Sequence, residues 1–186
     1  PQVVQATNDG TAVGVFIGAL PKGPVTPTLI NSWTEFVKIF GKQATAYKVP
    51  TSVYHFFANG GRSAYIVRSV GTNNGATPVA AAYANVTLID ANEDDTLLVT
   101  AKNPGEWANS TVFIVTKPNA AGTSFTLEVK ETVGAATVTV EQYTDLSLDP
   151  DSSRYAVAVV NSLSQYVTLS RSTFTGLVPA DLTGTG

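Results

Sequence analysis

Acid–base or nucleophilic chemistry in this chain would have to pass through very few side chains. His55 is the single histidine, and there is no cysteine. A serine nucleophile would need His55 as its base, yet His55 stands between Tyr54 and Phe56 with no nucleophile turn nearby. It reads as a packing or surface residue. Zinc would have to lean on carboxylates with at most one imidazole, a poor donor set for that metal. For a cation the best candidate is the acidic stretch Asp90, Asn92, Glu93, Asp94, Asp95, which opens with oxygen side chains at alternate positions. A calcium loop then requires a sharp-turn glycine and a distal bidentate glutamate. Asp95 and Ala101 stand at those places, so the stretch reads as a solvated hairpin loop.

The remaining motifs carry no chemistry either. Gly14 and Gly18 are spaced too closely for a phosphate-binding loop, and Lys22 is not followed by Ser or Thr. They fit small residues in a crowded strand. Asn85-Val86-Thr87 and Asn109-Ser110-Thr111 match the glycosylation acceptor pattern, which matters only in a secreted chain. Asp145, Asp149 and Asp151 bracket a helix start and read as capping residues. The expectation is that catalytic, cofactor-binding and metal-binding residues are all none, that no cofactor is used, and that the protein is not an enzyme.

Composition points to protein surfaces as partners. Of 186 residues, 44% are apolar and only 13% charged, about half the usual charged share. The net charge of −3 comes without a basic run or stripe. Nucleic acid and anionic membrane are therefore not expected partners. No apolar stretch reaches the roughly 20 residues that cross a bilayer, and no basic-then-apolar leader is visible. Disulfides and thiolate metal sites are excluded. The sequence opens at Pro1, has no methionine, and closes on Gly/Thr-rich residues. A fragment of a longer protein is expected.

The elements that would position any site follow from periodicity and punctuation. Ala12–Leu20 is an unbroken apolar and small run, a buried strand stopped by Pro21 and Gly23-Pro24. Thr28–Ile30 is a second strand. Ser32 and Glu35 have capping-box spacing. Trp33, Phe36, Val37 and Phe40 then make one apolar helix face, closed by Gly41. A second helix opens at Pro50, carries Val53, Phe56 and Phe57 inward, and ends at Asn59-Gly60-Gly61. The Trp33/Phe36/Phe40 face and the Phe56/Phe57 pair are expected in the core. Ala64–Val70 is a strand.

Thr72–Pro78 reads as a polar linker, and beyond it the texture is β-rich. Strands are expected at Asn85–Ile89, Thr96–Ala101, Thr111–Thr116, Ser124–Glu131 and Ala136–Gln142, a spacing that suits an antiparallel sandwich or small barrel. Trp107, beside Pro104-Gly105, is expected to anchor a sandwich loop. A helix capped by Asp149 or Asp151 and running to about Asn161, with Ala156, Val159, Val160 and Leu163 inward, precedes a strand at Gln165–Leu169. The fold class expected is α+β, with small α/β segments flanking a β-sandwich. The divisions are an N-terminal segment at 1–71, a sandwich at 72–146, and a further α/β region at 147–186.

Four stretches, in order, resemble the tail sheath family of contractile phages and phage-tail-like particles. GVFIGALPKGPVTPTLINSWTEFVKIFG at 14–41 is similar to the family's strand, Gly-Pro turn and "Ser, aromatic, x, x, Phe … Phe-Gly" helix. VYHFFANGGRSAYIVRSV at 53–70 resembles its "aromatic-Phe, x-Asn-Gly-Gly" continuation. LLVTAKNPGEWANSTVFIV at 97–115 is similar to the "Ala-Lys-x-Pro-Gly-x-Trp-Gly-Asn" segment, with Ala108 where Gly is usual. SFTLEVKE at 124–131, followed by VEQYTDLSLDPDSSRYAVAVVNSLSQYVTL at 140–169, resembles the lead into the family's subtilisin-like region.

The resemblance implies that 147–186 is the start of that subtilisin-like α/β region, truncated, and that the family's N-terminal "Pro-Gly-Val-Tyr" arm and C-terminal tube-packing domain are missing. It implies a structural, virion-borne homo-oligomer, a stack of hexameric sheath rings assembled in the host cytoplasm. Its partners would be the tail tube protein, the baseplate and the tail terminator. Contraction of the stack would drive the tube through the host envelope. The isolated fragment, lacking both arms, is expected to be monomeric. The rival readings are an extracellular β-domain, either adhesin or carbohydrate-binding module, and an α/β hydrolase dependent on His55.

Overall fold

The computed structural model describes residues 13–42, 46–73, 78–79, 82–109, 111–171 and 176–182. Ala12, residues 74–77 of the expected linker, Ser110 and residues 183–186 lie outside them. The fold is α+β, in two compact units, Pro1–Val70 and Gly71–Gly186.

In the first unit, β1 (Val13–Ala19), β2 (Thr28–Ile30) and β3 (Ser63–Ser69) form a sheet of order β1-β3-β2, with helices α1 (Trp33–Phe40) and α2 (Val49–Ala58) between β2 and β3 in sequence. β1 runs parallel to β3, and β2 antiparallel to it. Ser32 starts α1 as expected, its Oγ accepting from the Glu35 amide at 3.1 Å. The Glu35 carboxylate reaches back to the Asn31 amide at 2.8 Å, one residue beyond the Ser32 amide of the box geometry. Gly41, at φ 91°, closes the helix by donating to Val37 O. Phe36 and Phe40 are fully buried beside Leu20, Ile30, Val53, Ala64 and Ile66. Trp33, Phe56 and Phe57 are only half-buried at the rim of that core. On α2 the deepest position is Val53. Phe56 instead lies over Gly61, where a β-carbon would sit 2.4 Å from its ring.

The turn after β1 is held from the opposite strand. Arg68 of β3 donates through Nε to Leu20 O (3.1 Å), through Nη1 to Gly23 O (2.8 Å) and through Nη2 to Pro21 O (3.3 Å). Burial pulls the Arg68 pKa below its ordinary value, with Tyr47 opposing.

The second unit begins with a short pair, β4 (Thr72–Asn73) with β5 (Pro78–Val79). Two antiparallel sheets follow. One has the order β11-β7-β6, from β6 (Asn85–Ile89), β7 (Asp95–Ala101) and β11 (Val167–Ser170). The other has the order β10-β9-β8, from β8 (Val112–Pro118), β9 (Phe125–Val133) and β10 (Ala136–Leu146). Leu88, Leu97 and Val99 from the first sheet share one core with Phe125, Leu127, Val129, Tyr143 and Leu146 from the second. Ala156 and Val160 of helix α3 (Ala156–Leu163) belong to the same core. Segments that bury facing apolar sides in this way behave as a sandwich.

Several expectations are corrected here. β10 runs on to Leu146 because two register shifts, at Thr139/Glu141 and Tyr143/Leu146, let it bend and keep pairing. Asp145, at φ 53°, sits within the second shift and not at a helix start. The Asp149 carboxylate caps a turn, accepting from the Asp151 amide at 3.0 Å, and α3 begins later, behind Tyr155, with no side-chain cap. Leu163 ends 61% exposed. Beyond Asp149-Pro150-Asp151, β11 pairs antiparallel with β7, and α3 shares the core of the two sheets.

Candidate functional site

The first unit's sheet shows what β1 and its neighbours present. Along β1 the side chains alternate, as strand geometry requires. Gly14, Phe16 and Gly18 are partly buried, and α2 packs on their side, with Phe56 edge-on to Phe16 at 5.5 Å. β-carbons on Gly14 and Gly18 would meet Phe56 and Val49 of α2, so both glycines serve close packing, as their spacing suggested. On the other face Val13, Val15 and Ile17 are exposed, Val15 by 60% and Ile17 by 68%. The register sets Val15 beside Tyr65, and Tyr65 beside Leu29. Tyr65 and Leu29 are exposed as well. The result is a continuous apolar row, free of charge, across all three strands.

This corrects the reading of β1 as a buried strand. Its composition is that of a strand with both faces covered, as strands of parallel pairs normally are, but one face here is bare. Patches of this kind on folded proteins mark interaction surfaces.

In the second unit a cleft of about 390 Å³ opens beside the core, lined among others by Val86, Leu88, Val99, Trp107, Ile114 and Tyr166. Its aromatic polar atoms are engaged. Trp107 Nε1 donates to Asn103 O at 2.9 Å, which ties the loop as the sequence suggested. Tyr166 Oη donates to Glu131 at 2.8 Å.

The buried and half-buried charges of this unit hold structure together. Glu141 accepts from Ser164 Oγ (2.6 Å), the Gln165 amide (2.7 Å) and Tyr143 Oη (3.0 Å). Burial, with Glu141 adding to it against a hydrogen bond from Ser164, pushes the Tyr143 pKa up to about 12. Burial and Glu131 push Tyr166 up too. Burial drives the Glu128 carboxyl upward, but Lys130 (3.2 Å) and Lys117 (3.3 Å) outweigh it and leave the pKa below the ordinary value. Among the described residues no buried side-chain polar atom lacks a partner.

The sequence-predicted candidates stay apart. His55 is exposed on α2, its ring 5.5 Å from that of Tyr54. The Asp90–Asp95 stretch is the β6–β7 turn. Its Asp90 carboxylate is filled by backbone amides, Oδ1 taking Asn92 (2.7 Å) and Asp94 (3.1 Å) and Oδ2 taking Leu177 (2.9 Å). The Leu177 amide is the main reason the Asp90 pKa falls below its ordinary value, and burial opposes it. Among the described residues no group of three or more His, Asp or Glu side chains is placed to hold a metal ion, and no helix is long and apolar enough to cross a membrane.

No family model matches the sequence, and no curated protein does. Among solved structures, the sheath tail protein Lin1278 from Listeria innocua is similar at TM-score 0.49 and 19% identity, over 95% of this chain and 36% of that one. The sheath tail protein DSY3957 from Desulfitobacterium hafniense is similar at TM-score 0.48 and 16% identity, over 90% of this chain and 34% of that one. The chain spans about a third of the length of each.

Proposed function

We propose that this chain is part of a structural subunit of a contractile tail sheath, a homo-oligomer that polymerises around a tail tube and shortens to drive the tube through a host envelope. The observation that carries the reading is the bare, uncharged face of Val13, Val15, Ile17, Leu29 and Tyr65. A face of that kind belongs to a protein that meets other protein. The four sheath-like stretches make the reading specific. The first covers β1 to α1, the second most of α2 and all of β3, the third most of β7 and β8, and the fourth β9, β10, α3 and β11.

In such a subunit the two units act as stiff bodies whose cores supply the rigidity. Subunits stack as hexameric rings, with the tail tube protein inside and the baseplate and tail terminator at the ends. No reaction is catalysed. Strand addition between subunits would keep the lattice connected while the bodies rotate, because backbone hydrogen bonds hold elements without fixing the bodies they link.

The test is electron microscopy of the longer gene product that carries this chain. Striated hollow tubes are expected, and Val15→Glu with Ile17→Glu is expected to abolish them while leaving a folded subunit. Dispersed monomers from the unaltered protein would refute the reading, as would tubes unaffected by the double variant.

A further inference from the structure

Two edge strands of the second unit, β6 and β8, belong to different sheets. One segment, Gly176 to Leu182, is bonded to both. It first takes hold at the β6–β7 turn, where Gly176 N donates to Asp95 O (3.1 Å) and Leu177 N to Asp90 Oδ2 (2.9 Å). It continues along the end of β6, with Ala180 N donating to Ile89 O (2.9 Å). It then crosses to β8, where Thr116 Oγ1 donates to Ala180 O (2.6 Å) and Leu182 N to Thr116 O (3.1 Å). Arg171 fixes the near end, its Nη2 donating to Gly176 O at 2.7 Å.

The contact is close at Gly176 and Pro179, which are buried, and lighter at the positions between and after them. A β-carbon on Gly176 would meet Asp95 O at 2.7 Å and Asp94 O at 2.9 Å, so only glycine seats there. Beyond it Leu177 is exposed, and Val178 and Leu182 are half-buried against a core whose fully buried members all lie elsewhere. Leu182 also completes one wall of the cleft. Segments with few buried apolar contacts open at lower free energy than the core they rest on.

We propose that residues 176–182 are a clamp that opens as a unit of its own, with the Asp90 carboxylate as its lock. Opening frees the Ile89 end of β6 and Thr116 of β8 and removes the Leu182 wall of the apolar cleft, while both sheets stay folded. Asp90 is suited to the lock because the same carboxylate serves the clamp through Leu177 and its own turn through Asn92 and Asp94. Loosening one loosens the other.

Amide hydrogen exchange on the whole chain, read residue by residue, tests this. In the parent protein the amides of Ala180 and Leu182 are expected to exchange at least about tenfold faster than those of Leu127 and Val129 in β9. Asp90→Asn puts an amide donor where acceptors are needed. It should speed exchange at Leu177, Ala180 and Leu182 by a further tenfold or so, with β9 unchanged. Gly176→Ala, which leaves Asp90 intact and crowds Asp95 O, should give the same selective loss. Clamp and β9 amides that exchange together in the parent would overturn the proposal. So would variants that lower protection equally in both places, or variants that leave the clamp amides unmoved.

Discussion

Arg68 gives the sharpest test of how the first unit is held. Its guanidinium fills three carbonyls of the β1–β2 turn, those of Leu20, Pro21 and Gly23. Leu20 and Gly23 are buried and Pro21 is half-buried. Arg68→Met keeps the stem and removes every donor. Each buried carbonyl left unpaired costs about 1–3 kcal/mol, so two of them cost about 2–6 kcal/mol. Removing a buried cation returns part of that, and a net loss of about 2–3 kcal/mol is expected. Arg68→Lys can satisfy one carbonyl of the three with a compact ammonium, and should lose about half as much. Urea unfolding followed by tryptophan fluorescence separates the units, since Trp33 lies in the first and Trp107 in the second. In a Trp107→Phe background, with a slope near 1 kcal/mol per molar urea for so small a unit, the Met variant should move the midpoint down by about 2–3 M. A Met variant within about 0.5 kcal/mol of the parent would refute the argument. So would a loss that appears in the Trp107 transition of a Trp33→Phe background.

Phe36→Ala should cost the first unit about 3–5 kcal/mol in the same Trp33 assay, because Phe36 is fully buried and truncation leaves a cavity. Tyr143 sets a pH dependence for the second unit. Its folded pKa is raised to about 12 from an ordinary 10.0, so the stability it contributes is complete below pH 10.0 and is lost as pH rises toward about 12. Thermal unfolding of Tyr143→Phe should therefore fall less steeply across that window than the parent does, and parallel curves would refute the assignment.

The helix α1 was legible because its signals are local: a cap at Ser32, apolar residues at helical spacing, and Gly41 as the stop. β6 and the β6–β7 turn were legible for a similar reason, since strand alternation broken by an acidic turn needs no knowledge of partners. β10 was not, because its length depends on two register shifts against β9, which alternation alone does not encode. The late start of α3 was hidden by Asp149 and Asp151, good capping residues that close turns here instead. The clamp at 176–182 has no periodicity to find, since its bonds go to two distant places in the chain, residues 89–95 and Thr116. Among the candidates for chemistry, His55 and the acidic loop failed on spacing in the sequence, and the structure sets the first on an exposed helix face and fills Asp90 of the second with backbone amides. The bare face was half visible. The apolar run from Val13 was plain, but which side of it would lack a covering depends on where α2 packs.

That face and the low charge content are parts of one argument. Exposed edge strands of proteins that work alone are usually guarded by charges, prolines or bulges, because an open edge invites pairing. Among the described residues β1 is an edge strand with none of the three: its seven residues, Val13 to Ala19, are all apolar or glycine, and its register with β3 is unbroken. Meanwhile several of the chain's few charges are spent internally, Arg68 on the turn carbonyls, Glu128 on two lysines, Asp90 on the clamp and Glu141 on the β11 approach. The unguarded edge and the uncharged face therefore lie on the same strand, and an open edge of that kind invites pairing with another protein surface. In the proposed sheath subunit, β1 is the strand that would meet the neighbouring protein.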